Sequence, residues 1–169
     1  MEHHRSRDMN ATYIFRPMTA ADLPLIRRWL DEAHVREWWG DPDEQLALVS
    51  GDLTEPAMDQ LIVLAGNSRF GYLQCYRLTA WNTGFGPQPE GTRGIDQFIG
   101  ESDMIACGHG SALIRQFVEA LLRNGVPRIV TDPDPLNARA ILAYEKAGFV
   151  RDRMVETPDG PALLMVRET

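Results

Sequence analysis

The chain has 169 residues, 44% of them hydrophobic and 24% charged, which is typical of one globular domain that can bury a full core. Its net charge of −7, without a basic stripe, argues against nucleic acid as a partner and suits a cationic small molecule, although acidity can also serve solubility alone. No stretch reaches the roughly 20 apolar residues of a membrane span, and the two cysteines form neither a zinc motif nor a disulfide framework, so we expect no membrane partner, no metal and a cytoplasmic location.

The hydrophobic pattern predicts seven strands and four helices in one domain, residues 12–169, after a polar segment 1–11 that we interpret as a disordered leader or a cloning remnant. The strands are predicted at residues 12–19, 59–66, 70–78, 94–99, 128–132, 149–156 and 162–167. The helices are predicted to begin at Thr19, near Val35, at the glycine turn 108–110 and at residue 136. Segments 40–58 and 79–94 are expected to be irregular. The order β-α-α-β-β-β-α-β-α-β-β indicates an α/β domain (α+β in some schemes) with a mixed sheet.

The string CGHGSA, residues 107–112, introduces the third helix. Free main-chain N–H groups at such a helix start attract anions, and Gly108 and Gly110 allow a phosphate to approach the backbone closely. The string lacks the third glycine of a dinucleotide fingerprint and the Lys of a P-loop. Two interpretations stay open: a diphosphate held by the main chain alone, as coenzyme A commonly is, or a flexible helix entry.

Four residues are candidates for chemistry or for simple structural roles. Asp96 lies on a predicted strand, where it could accept a proton or orient an amine, or bond to the backbone. Asp132 and Asp134 follow the strand at 128–132, at the sheet edge where α/β proteins bind ligands. For Asp134 we favour turn or cap chemistry, whereas Asp132 is undecided. Tyr144, mid-helix, could donate a proton to a thiolate or pack as an ordinary aromatic.

Other residues give weaker signals. Trp38 and Trp39 are adjacent, so one of them can line a ligand site while the other packs inward. His109 is expected to line the glycine turn rather than to catalyse, and His34 to lie on a helix surface. Neither cysteine has the His/Asp neighbours of a thiol nucleophile.

With these residues in view, the chain resembles the GCN5-related N-acetyltransferases, which have a mixed central sheet flanked by helices. Within that superfamily it is similar to the aminoglycoside 6′-N-acetyltransferases of the Ib type. The resemblance covers roughly residues 12–167 and is carried by the strings REWWG, GYLQCY, RGIDQ, TDPDPLNARAILAYEKAGF and TPDGPALLMV. It implies acetyl-CoA as cofactor, a small cationic amine as substrate, and a monomer or homodimer.

The resemblance also implies roles for individual residues. Tyr144 would protonate the departing CoA thiolate, and Asp96 would act as general base or orient the amine. The implied cofactor-binding residues are Gln97, Phe98, Ile99, Ile105, Cys107, Gly108, His109, Gly110, Ser111, Ala112, Asn137 and Tyr144. The implied substrate-binding residues are Trp39, Gln74, Tyr76, Asp96 and Asp132. Ile105 stands where many members carry Arg or Gln.

Three functions follow as hypotheses. The first is transfer of acetyl to the 6′-amino group of aminoglycosides by direct attack in a ternary complex. The second keeps the fold and changes the acceptor to another small amine, such as a hydroxylysine-like siderophore precursor. The third is a non-catalytic acetyl-CoA- or drug-binding module, against which the presence of both Asp96 and Tyr144 argues.

Overall fold

The computed structural model describes residues 12–81 and 84–169, and the proposed leader 1–11 lies outside them. Seven strands form one sheet: β1 Tyr13–Pro17, β2 Met58–Ala65, β3 Ser68–Arg77, β4 Arg93–Ile99, β5 Arg128–Thr131, β6 Val150–Thr157 and β7 Gly160–Glu168. The helices are α1 Leu23–Leu30, α2 Ala33–Trp39, α3 Pro42–Asp52, α4 Leu78–Trp81, α5 His109–Arg123 and α6 Ala138–Lys146. In these described parts of the chain, no helix is long and apolar enough to cross a bilayer.

The sheet has the order β1-β2-β3-β4-β5-β7-β6, and β4 with β5 is its one parallel pair among the described strands. The expectation of a mixed sheet flanked by helices is therefore confirmed. Helices α5 and α6 pack on one face, over a cluster that includes Leu113, Ile141 and Tyr144. Helices α1 to α3 cover part of the other face through residues such as Trp29 and Val49.

Two segments expected to be irregular contain helices. Residues 42–52 form α3, and Leu78–Trp81 form the single turn α4. Helix α3 was missed because it has no apolar stripe: Pro42 and Val49 are its buried residues. Its start signal was nevertheless present, since Asp41 caps the helix by accepting a hydrogen bond from Glu44 N–H at 3.0 Å and Pro42 occupies the first turn.

The parallel pair β4–β5 is very short. Only Arg93 with Ile129 and Gly94 with Val130 are paired, so the two strands separate beyond Gly94. On its other side β4 stays paired with β3 from Arg93 to Ile99. One edge of β4 therefore opens into a cleft in the middle of the sheet.

Gly100 directly follows β4 and lies against the fully buried indole ring of Trp29, which a Cβ at this position would overlap. We expect Gly100→Ala to lower the free energy of unfolding by about 2 kcal/mol, because overpacking a core forces side chains out of their rotamers. Urea denaturation measures the change. Gly51→Ala is the matched control: no atom lies within 4 Å of its added Cβ, and alanine in helix α3 should raise stability by roughly 0.5–1 kcal/mol. Equal effects of the two substitutions would contradict this expectation.

Candidate functional site

The open edge of β4 is capped at two points by side chains. Thr131 Oγ1 donates to the carbonyl of Ile95 at 3.0 Å, and His34 Nε2 lies 2.8 Å from the carbonyl of Ile99. Main-chain groups of alternate strand residues point the same way, so Gln97, between the two caps, also directs its N–H and C=O into the cleft. The expectation that His34 is a surface residue is wrong, because helix α2 turns its ring onto the strand.

A cavity of about 540 Å³ extends along this edge between α2, β4, the glycine turn and α6. The predicted residues that line it are Trp39, Gln97, Phe98, Ile99, Ile105, Gly108, Gly110, Ser111 and Asn137. Trp39 packs edge-on against Phe98, with ring centroids 5.0 Å apart. Two basic side chains at the α6 wall, Arg139 and Lys146, also line the cavity, although neither was predicted for the site.

The glycine turn shapes one end of the cavity. Ala106 and Gly108 both have positive φ, +59° and +84°, and α5 starts directly afterwards at His109. Because the first N–H groups of a helix have no partner within the helix, this end of the cavity is suited to an anion. His109 Nδ1 bonds to the Tyr13 hydroxyl at 2.8 Å, Cys107 is exposed, and Ala112 packs partly against the core.

Three carboxylates converge beside the cleft from different elements. Burial raises the pKa of Asp96, and the charge of Asp159 adds to that effect, whereas a hydrogen bond from Gln74 opposes it. Burial raises the pKa of Asp132 to about 8, with further contributions from Asp96 and Asp159. Asp96 lies on β4, Asp132 follows β5, and the exposed Asp159 lies in the tight turn between β6 and β7.

Two tyrosines, Tyr76 and Tyr144, lie beside the three carboxylates, and we call these five residues the acidic site. Tyr144 is buried, and its pKa is raised well above the usual value, first by burial and then by the charge of Asp96; hydrogen bonding to Thr131 and Gln97 acts in the opposite direction. Tyr76 is buried as well, and its pKa is raised by burial and by the charges of Asp96 and Asp132. Both hydroxyls therefore stay protonated at neutral pH and can act as hydrogen-bond donors.

Residues 18–157 of the chain match a family model described as an acetyltransferase (GNAT) domain. The chain belongs to the GNAT acetyltransferase family. An aminoglycoside N(6′)-acetyltransferase type 1 of Klebsiella pneumoniae is similar to it, with 36% identity over 168 residues that span 94% of this chain and 84% of the relative. A kanamycin resistance protein of Rhizobium radiobacter is 50% identical over 78 residues, 46% of this chain and 72% of that protein.

Solved structures support the same assignment. The structure of AAC(6′)-Ib in complex with paromomycin and acetyl-CoA is 35% identical to this GNAT chain, with a TM-score of 0.84 and 93% of each chain covered. The predicted family and fold are thus both confirmed.

Asp159 was not predicted for the site of this GNAT acetyltransferase, because the string TPDG, residues 157–160, has the composition of an ordinary turn. The turn role predicted for Asp134 is confirmed: Asp134 Oδ1 accepts a hydrogen bond from Leu136 N–H at 2.9 Å and so shapes the entry to α6. Asn137 also caps α6, since its Oδ1 accepts from Ala140 N–H at 3.2 Å while the residue lines the cavity.

Proposed function

We propose that this GNAT protein transfers the acetyl group of acetyl-CoA to the 6′-amino group of aminoglycosides. The proposal rests on Asp96 of β4, Asp132 directly after β5 and Asp159 of the turn between β6 and β7, three carboxylates whose charges act on one another. Three carboxylates in one partly enclosed site favour a ligand with several ammonium groups. The similar proteins named for aminoglycosides support the same acceptor class.

The cavity fits acetyl-CoA. Gln97 Oε1 is buried, and no hydrogen-bond partner for it occurs within residues 12–81 and 84–169. An amide-containing arm along β4 can supply the missing donor and pair with the Gln97 main chain. We propose that the N–H groups at the start of α5 hold the diphosphate of acetyl-CoA and that Asn137 contacts its amide-containing arm. Acetyl-CoA supplies an acetyl group activated as a thioester.

The residues around the cleft can then carry the proton transfers. Asp96 accepts a proton from the acceptor ammonium, directly or through a water molecule, because only the neutral amine has a lone pair for attack. As the new N–C bond forms and the C–S bond breaks, Tyr144 donates a proton to the departing sulfur, and the second proton that the acylated nitrogen loses restores the Tyr144 hydroxyl. Holding both reactants in one cleft lowers the entropic part of the barrier, and no covalent enzyme intermediate is needed.

A thiol-release assay with purified protein and acetyl-CoA tests the proposal. We expect turnover with kanamycin, tobramycin and neomycin. Paromomycin is the matched control for neomycin, because it carries a hydroxyl at the 6′ position, and it should react much more slowly. Absence of thiol release with every 6′-amino aminoglycoside would refute the proposal. Thiol release with a hydroxylysine-like amine alone would show that the acceptor is another small amine.

We also propose that the enzyme works in the cytoplasm. Both cysteines, Cys75 and Cys107, are free thiols, and the exposed Cys107 lies beside the proposed cofactor cavity. A reducing compartment keeps such a thiol from oxidising.

A further inference from the structure

A chain of buried hydrogen bonds leads from helix α3 to Asp96. Gln60 Nε2 donates to the carbonyl of Val49 at 2.8 Å and to the hydroxyl of Tyr72 at 3.1 Å. The Tyr72 hydroxyl donates to Gln74 Oε1 at 2.8 Å, and Gln74 Nε2 donates to Asp96 Oδ2 at 2.9 Å. Gln60 and Tyr72 are buried, so water does not compete for these groups.

The orientation of every group in this chain follows from its first link. The carbonyl of Val49, in the last turn of α3, can only accept, so Gln60 must turn its NH₂ group toward it. The second N–H of that group points to Tyr72, whose single hydroxyl hydrogen is then free for Gln74 Oε1. The NH₂ group of Gln74 therefore faces Asp96.

We propose that Gln60 and Tyr72 are positioning residues that fix the Gln74 side-chain amide with its NH₂ group toward Asp96, so that Oδ2 of Asp96 is occupied and Oδ1 is left for the acceptor amine. This inference rests on the proposed function for its catalytic meaning. The polar groups of Gln60 and Tyr72 reach Asp96 through Gln74, whereas the Tyr72 ring, which Tyr72→Phe keeps, packs against Trp39 and Phe98. Gln74, expected from the resemblance to bind substrate, thus has both ends of its amide engaged within the protein.

Loss of the Tyr72 hydroxyl or of the Gln60 amide releases this constraint. The side-chain amide of Gln74 can then rotate by half a turn and present Oε1 to Asp96. Because Oε1 can only accept a hydrogen bond, Asp96 can pair with it only when its carboxyl is protonated. Burial raises the pKa of Tyr72, so its hydroxyl remains a donor throughout the working range. The other titratable groups whose charges act on Asp96, or on which Asp96 acts, are Tyr76, Asp132, Tyr144 and Asp159. The charge of Asp52 acts on Tyr72 in the same direction as its burial.

The test compares Gln60→Leu and Tyr72→Phe with wild-type protein. The carboxyl of Asp96 is titrated by NMR on protein labelled with ¹³C-aspartate, with its signal assigned through Asp96→Asn. We expect each substitution to raise the pKa of Asp96 by about one pH unit, the size associated with a hydrogen bond to a charged group. The acid limb of the pH profile of kcat/KM should move by the same amount. At a pH above this acid limb, kcat/KM of each variant should return to the wild-type value, and the KM for acetyl-CoA should stay within about twofold of wild type.

Gln116→Leu is the matched control. This glutamine also makes two hydrogen bonds, to the N–H and the carbonyl of Tyr13, and it lies on α5 away from Asp96. Its loss should leave the titration of Asp96 unchanged. An unshifted titration in folded Tyr72→Phe would overturn the inference even if Gln60→Leu fails to fold. Because the NMR titration needs no turnover, an inactive wild-type protein would refute the proposed function while the titration still decides this inference.

Discussion

Replacing Asp96 by Asn should lower kcat by roughly 10²- to 10⁴-fold, the range typical for loss of a general base. Asparagine has nearly the same size and can still accept the hydrogen bond that Gln74 Nε2 donates at 2.9 Å. It cannot take up a proton, so the acceptor amine stays charged at neutral pH. The Kd of acetyl-CoA should stay within about threefold, because the cofactor cavity is unchanged. Thiol release gives kcat, and calorimetric titration gives Kd.

Asp59→Asn is the control for this substitution. Asp59 lies on β2, which β3 separates from β4; its side chain is 65% exposed, and it is 4.0 Å from the guanidinium of Arg93. Its neutralisation changes the net charge equally but removes no group from the site, so kcat should be unaffected. If Asp96→Asn kept more than a tenth of the wild-type kcat, Asp96 would not be the base, and the acidic site would serve binding alone.

Affinity for a polycationic acceptor should rise by roughly tenfold between pH 6 and pH 8. In the free protein the carboxyl of Asp132 has its pKa raised to about 8 by burial and by the charges of Asp96 and Asp159. It is therefore mostly neutral at pH 6. A bound ammonium group favours the ionised form of Asp132, so binding of the acceptor below pH 8 releases the proton of this carboxyl. Removing that proton costs less free energy as the pH approaches 8, and the affinity for the acceptor rises accordingly. Calorimetry in two buffers of different ionisation enthalpy measures the affinity and counts the protons.

Asp132→Asn should reduce the proton release and raise the acceptor Kd by about tenfold at pH 8. The control is Asp134→Asn, two residues further on, because Asp134 is exposed and its Oδ1 serves the turn before α6, a role that asparagine can keep. An affinity for the acceptor that is constant from pH 6 to pH 8, without proton release, would contradict the assigned role of Asp132.

The same carboxyl affects stability with a definite sign. Because the folded-state pKa of Asp132 lies above its unfolded value of about 3.9, the folded state binds more protons between the two values. Stability contributed by this group is therefore present below pH 4 and lost as the pH rises toward 8. The acidic site destabilises the free protein at the pH at which it binds the acceptor best.

Local signals were sufficient for much of the fold and for part of the site. Strand alternation, the glycine turn before α5 and the turn chemistry of Asp134 all act over a few residues, so the sequence predicted them correctly. Asp96 and Tyr144 were named because the resemblance supplied their context; their positions alone also allowed backbone bonding and packing.

The remaining features depend on contacts between distant segments. His34 reaches Ile99 across 65 residues, and the orientation of Gln74 is set by a carbonyl of α3, a helix that the hydrophobic pattern did not predict. Asp159 joins the acidic site only because β6 and β7 bring their turn to the end of β5. The hydrophobic periodicity of the sequence reports local structure and does not predict such long-range contacts.

The caps on β4 have a further consequence, for aggregation. A strand edge that opens into a cleft could recruit an extended segment of another chain, which would need a run of free main-chain groups. Here the carbonyls of Ile95 and Ile99 are already engaged by Thr131 and His34. With these two carbonyls engaged, the edge offers few acceptors to an added strand, while the main chain of Gln97 between them can still pair with one amide of a slender ligand. The protein can thus keep its cleft open without exposing a strand edge that readily pairs with another chain.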